Sequence, residues 1–176
     1  MSESDALCLE AFPAWLRSLR EDATGLAAIV ADGDAAESLR RPLASALNYL
    51  FKSLDLVPDG IEDLGFLDDA FILRVAASQA GPQGAPELVQ RLAGDAALIS
   101  EFLGDHYPKL EQYVRALGSG SIRGRNVDQI VGDAAVAASF ENEVKGWAAS
   151  FVVPTFTRDA KNLVKLKSFI GAKLAL

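Results

Sequence analysis

The chain has 176 residues, one cysteine and one histidine, and each scarcity closes off a class of chemistry. With Cys8 alone, no intrachain disulfide and no cysteine-rich zinc site can form. With His106 alone, the common zinc and non-haem iron ligand sets that take two or more histidines are excluded. Tryptophan and tyrosine are few, and valine and isoleucine seldom alternate with polar residues, so strand material is sparse. Long apolar runs are missing too. The uncharged stretches 75–86 and 146–157 are too short to span a bilayer and contain glycine or proline. The opening Met-Ser-Glu-Ser-Asp has no basic segment ahead of an apolar one, so no secretory signal is expected and the chain reads as cytoplasmic.

What is present is alanine, leucine and acid. Half the residues are hydrophobic, with the strong helix formers alanine and leucine dominant. The length fits one domain, or one domain with an appendage, large enough to build a core without metal or disulfide. A net charge of −7 argues against nucleic acid as a partner, because phosphate repels an acidic field. The charge is uneven. Residues 55–69 carry Asp55, Asp59, Glu62, Asp63, Asp68 and Asp69 with no base. Residues 155–176 carry Arg158, Lys161, Lys165, Lys167 and Lys173 against Asp159.

Apolar spacing predicts an all-α bundle of six to seven helices around an acidic αα-hairpin. The first helix is expected to start near Pro13 and end at Asp32-Gly33-Asp34. Asp34 with Glu37 has capping-box spacing for the next helix, which runs through Leu39, Leu43, Leu47 and Leu50, with Pro42 kinking or restarting it. Helix resumes over 67–80, where Gly81 suits the left-handed cap. Pro86 opens another helix, which Gly104 and Pro108 interrupt before Leu110, Val114 and Leu117 continue it. Asn126 is read as the cap of a helix carrying Ile130, Ala134, Phe140, Val144, Trp147 and Phe151. Thr157 is read as the cap of the basic terminal helix. The domain reading is a helical domain over 1–117, a Gly/Ser-rich linker over 118–125, and C-terminal helices over 126–176 packed on the same bundle or swapped between protomers.

The most informative stretch is 46–70, Ala-Leu-Asn-Tyr-Leu-Phe-Lys-Ser-Leu-Asp-Leu-Val-Pro-Asp-Gly-Ile-Glu-Asp-Leu-Gly-Phe-Leu-Asp-Asp-Ala. Pro58 forces Val57 out of the helical region, so a helix must end before it. Gly60 and Gly65 are expected to supply positive φ at the reversal. Asp68 and Asp69 fall where the next helix begins, where exposed N–H groups favour carboxylates. Leu50, Leu54, Leu56, Ile61, Leu64 and Leu67 are available to pack inside. The motif is therefore explicable as folding chemistry. A second reading has Asp55, Asp59, Asp68 and Asp69 converging as an all-oxygen site for Mg²⁺, Mn²⁺ or Ca²⁺, and a third makes them an acidic docking face.

These residues resemble the YkvA family, a bacterial domain family of unknown function, over roughly 43–75. The shared positions are Tyr49, Leu50, Asp55, Pro58, Asp59, Gly65, Leu67, Asp68 and Asp69. Two positions depart from the pattern. Ser53 stands where the family usually has proline, and Ile61-Glu62 replaces an Ile-Pro step, which implies a less rigid turn. The resemblance implies no activity.

Other residues have plainer roles open to them. His106, between Asp105 and Tyr107, has the setting of a general acid–base or of an exposed residue at a helix break. Cys8 lacks a basic neighbour and reads as packing. The glycines and arginines of 118–125 suggest a phosphate cradle but lack the Walker lysine pattern and a preceding strand, so a linker is preferred. Arg40-Arg41 reads as a solvated face. Leu163, Leu166, Phe169, Ile170 and Leu174 form a stripe beside Lys161, Lys165, Lys167 and Lys173, suited to packing on the body or to an anionic membrane surface.

The functional reading is a non-enzymatic helical interaction module of a bacterial cytoplasmic protein, with a protein partner and no catalytic residue. The alternatives are a divalent-metal protein, in one version a hydrolase, using the four aspartates, and a peripheral membrane protein held at the inner face through residues 155–176.

Overall fold

A 29-residue helix, α1 (Glu3–Ala31), forms one long wall of the fold. It starts earlier than Pro13 because Ser2 and Asp5 make a reciprocal capping box, with Asp5 N–H donating to Ser2 Oγ at 3.0 Å and Ser2 N–H to Asp5 Oδ2 at 3.3 Å. Pro13 lies buried inside the helix, which is already nucleated upstream. Phe12, Leu16, Leu19, Ala23, Leu26 and Val30 bury one face at helical spacing. The structure, a computed structural model, describes residues 1–52 and 55–175.

The turn after α1 corrects one expectation. Asp32 Oδ1 accepts the Asp34 N–H at 2.9 Å, and α2 (Glu37–Tyr49) begins after Ala36 without a side-chain cap. Glu37 is therefore not the far half of a capping box. It pairs instead with Arg41 one turn on, at 2.8 Å. Pro42 sits within α2, which continues through it. Arg40 is not on a solvated face: it is buried, and its Nε donates to the Val30 carbonyl at 2.8 Å, satisfying an open acceptor at the end of α1. Arg41 bridges Glu37 and Asp128.

The centre of the bundle is α3 (Leu67–Gln79), buried on every side from Leu67 to Ala77. It packs on α2 and on α4 (Glu87–Leu103), and Gly81 takes the expected left-handed conformation at φ 77°. A 3₁₀ turn over Gly104–His106 leads into α5 (Tyr107–Ala116). The segment expected as a linker carries a second 3₁₀ turn, Leu117–Ser119, and a small antiparallel pair, β1 (Ser121–Ile122) with β2 (Arg125–Asn126). Arg123 and Gly124 at its tip both have positive φ, 52° and 74°, the pattern of a tight two-residue hairpin turn.

Asn126 caps α6 (Val127–Gly132) as expected, with Gln129 completing the box. The helix anticipated through residue 151 is two helices. Asp133 breaks it and caps α7 (Ala134–Ser150) by accepting from Ala135 N–H at 2.9 Å, which leaves Ala134 exposed rather than on the apolar stripe. Asp159, not Thr157, caps α8 (Ala160–Leu174). Among the described residues, the α-helices of ten residues or more are α1, α2, α3, α4, α5, α7 and α8, so the all-α bundle stands. One hydrophobic core runs from Phe12 and Phe71 to Phe140, Leu166 and Ile170. None of the described helices is long and apolar enough to cross a membrane.

Candidate metal centre

The junction between α2 and α3 is built from residues 50–66. After Tyr49 the chain keeps one loose turn, with Phe51 N–H donating to the Asn48 carbonyl and Lys52 N–H to that of Tyr49. Leu56, Val57, Leu64 and Leu67 are buried and Ile61 and Leu50 half-buried, which anchors the segment to the core. Ser53 and Leu54 lie outside the described residues. The expected roles of the glycines need correcting. Positive φ falls on Asp63 (66°) and Phe66 (68°), not on Gly60 or Gly65. Gly65 is required for closeness: a Cβ there would sit 2.2 Å from the Asp59 carbonyl oxygen. Gly60 has open space around it.

A clamp closes the junction. Tyr49 is wholly buried, and its hydroxyl donates to Asp68 Oδ2 at 2.6 Å while accepting the Leu56 N–H at 2.6 Å. The same Asp68 oxygen accepts the Val57 N–H at 3.2 Å. The end of α2 thus meets the first turn of α3, and the two helices pack on one another. However, Phe66 is the N-cap of α3 and makes no side-chain cap bond. Asp68 ties down the turn before α3 rather than capping it. Burial raises the Tyr49 hydroxyl pKa, and the Asp68 charge raises it further, so this group stays a donor.

Three of the four singled-out aspartates come together. One carboxylate oxygen from each of Asp59, Asp68 and Asp69 lies within 4.8 Å of the others. Asp68 and Asp69 are buried, whereas Asp59 opens to solvent. Asp68 Oδ1 is fully buried and has no hydrogen-bond partner among the described residues. Asp55 is half-buried beside this trio rather than in it. Burial, then the charges of Asp59 and Asp68, push its pKa up to about 7. Burial likewise lifts Asp68 to about 6, and lifts Asp69 well above the usual carboxylate range with Asp68, Asp59 and Asp55 adding repulsion. Such a group needs either protons or a bound cation to offset its charge. Hard oxygen donors at this spacing suit Mg²⁺, Mn²⁺ or Ca²⁺.

Next to the trio lies an open cleft of about 560 Å³, with Asp59 and Lys52 on one side and Ser121 and Arg123 on the other. Sequence reasoning missed this neighbourhood because the 121–126 hairpin reaches it across a long sequence separation. It also missed Arg74. This wholly buried side chain bonds Asp95 Oδ2 at 2.9 Å, approaches Asp22 Oδ2 to 3.6 Å and lies 4.2 Å over the Trp15 ring. Asp22 is held in turn by Arg91 and Ser18. Only the lone arginine in an apolar helix could have signalled such a network.

The remaining candidates take plainer places. Cys8 is buried, and burial pushes its thiol up to about 11, which fits packing. The His106 ring sits under α8, where a Cβ on Gly171 would come within 2.9 Å of Nε2. No hydrogen bond joins it to Asp105 or Tyr107 among the described residues, and its Nδ1 has no partner there. In α8, Leu163, Leu166 and Ile170 are buried against the body, Phe169 and Leu174 are half-buried, and Lys161, Lys165, Lys167 and Lys173 are exposed.

No curated protein and no solved structure matches the chain. Residues 43–74 do match a family, one described as a protein of unknown function, DUF1232. The matched span contains Tyr49, the turn, the aspartate trio and Arg74, so the segment that forms the clamp is the part of the chain that matches this family.

Proposed function

We propose that the α2–α3 junction binds one hard divalent cation, Mg²⁺, Mn²⁺ or Ca²⁺, through Asp59, Asp68 and Asp69, with Asp55 held alongside. The observation that carries this reading is the Asp68 carboxylate. One of its oxygens is committed to Tyr49 and Val57, the other is buried without a partner among the described residues, and the carboxylate lies close to two further ones. A cation there would offset three converging charges and join the turn to α3, leaving positions open toward the exposed Asp59 side. The chain then works as a cation-loaded binding module rather than as a histidine- or cysteine-based enzyme. The YkvA-like reading of residues 43–75 forms part of this proposal, since its signature aspartates are the ligands.

Calorimetric titration with Mg²⁺, Mn²⁺ and Ca²⁺ at pH 8, paired with thermal melting, tests it. Binding of one ion per chain and a higher melting temperature are expected, with stabilisation of about 2.7 kcal/mol when free cation is about a hundredfold above Kd. Asp69→Asn should abolish the heat while melting at or above the cation-free wild type, because it removes a repelling charge. Absence of heat and of any melting shift with all three ions would overturn the reading.

A further inference from the structure

The cleft beside the trio has two cations on its walls. Lys52 Nζ donates to the Tyr113 hydroxyl at 2.7 Å, leaving two of its three donors for another partner. Arg123 occupies a left-handed position that a non-glycine residue rarely adopts, at the tip of the β1–β2 turn. Its guanidinium lies 5.1 Å from the Phe51 ring centroid. Neither Lys52 nor Arg123 forms an ion pair among the described residues, whereas the neighbouring Arg125 is taken up by Glu143 and by Asn48 Oδ1. Asp59 belongs both to the aspartate trio and to the cleft wall. This puts the proposed cation site and two basic side chains that form no ion pair among the described residues around one cavity of about 560 Å³, the size range of small-molecule sites.

Mg²⁺ in proteins is commonly held by one or two carboxylates and completed by the oxygens of a ligand phosphate. Arginine adds planar, two-pronged recognition of phosphate, and lysine adds a point charge. We propose that the cleft binds a small soluble phosphorylated ligand, its phosphate held by Lys52 and Arg123 and joined through the cation to Asp59. The inference rests on the cation reading above. It gives the glycine- and arginine-bearing segment 118–125 a phosphate-binding role through the Arg123 side chain rather than through a backbone cradle.

The test uses the full chain loaded with Mg²⁺, titrated with inorganic phosphate and with inorganic pyrophosphate. Binding is expected with the metal present and not after chelation. Arg123→Ala and Lys52→Ala should each weaken it about tenfold, the loss of a charge-assisted hydrogen bond, while Mn²⁺ affinity stays within about twofold of wild type. Asp69→Asn should lose both. Intact Mn²⁺ binding with no phosphate or pyrophosphate binding would overturn this inference and leave the cation site standing. Phosphate binding that persists with chelator would overturn both its link to the cation and the proposed bridge. Vesicles containing phosphatidic acid separate the sources: Arg123-dependent sedimentation with no binding of either inorganic anion would assign the contacts to a lipid headgroup and overturn the soluble-ligand reading.

Discussion

At the scale of single residues, the Tyr49 hydroxyl is the pivot, since it satisfies one buried donor and one buried acceptor at once. Tyr49→Phe keeps the ring and its packing but strands the Leu56 N–H, and it removes one of two donors from Asp68 Oδ2. Stranding a buried polar group costs about 1–3 kcal/mol, so a loss of roughly 2–4 kcal/mol is expected in denaturant melts. A loss below about 0.5 kcal/mol would mean that the clamp is not a structural tie. The sequence displays Tyr49 and Asp68 as parts of one motif, but not their bond. The bond depends on how a turn of uncertain geometry folds back, and local propensity does not encode that.

At the scale of elements, the turn separates two kinds of glycine that look alike in sequence. Gly65→Ala drives a methyl into the Asp59 carbonyl, a backbone atom that cannot step aside without moving a proposed ligand. A cost of about 1–3 kcal/mol and weakened Mn²⁺ binding are expected. Gly60→Ala meets open space at a φ outside the left-handed region, so it should be neutral or stabilise by about 0.4–1 kcal/mol. The reverse order of the two variants would contradict the close-approach account. Most helices could be read from apolar spacing, and those starting at Leu67 and Val127 were placed from turn and cap residues. The start at Glu3, the break at Asp133 and the cap at Asp159 were not. Each turns on which of several nearby Ser, Thr or Asp side chains reaches a free N–H, a choice that tertiary packing makes. The positive φ at Asp63 and Phe66 was equally hidden, since residues other than glycine carry it.

At the scale of the whole molecule, the buried charges of α3 shape the pH dependence. Asp55, Asp68 and Asp69 have raised pKa values in the folded chain, chiefly through burial, whereas an unfolded aspartate titrates near about 3.9. Between about pH 4 and pH 7 the folded state therefore binds more protons than the unfolded one, and these groups make stability fall as pH rises through that window. Cation-free protein should be more stable at pH 5 than at pH 8 in denaturant titrations. Added Mg²⁺ or Mn²⁺ should narrow the gap by stabilising the pH 8 form, because cation binding competes with protons. A flat profile, or stability that rises through the window, would show that the trio is not a store of unrelieved charge. The Arg74 network and the shared core explain how the molecule holds such a junction in place, since both lock α3 between its neighbours. The Arg74 network was not legible from spacing, because its partners come from α1 and α4, far off in sequence.

The most direct measurement is the anomalous diffraction of crystals grown with Mn²⁺. The predicted result is a single strong peak bounded by Asp59, Asp68 and Asp69, with carboxylate oxygens at about 2.0–2.6 Å and Asp68 Oδ1 among them. Density showing those carboxylates hydrogen-bonded to one another at millimolar Mn²⁺, with no peak between them, would contradict it.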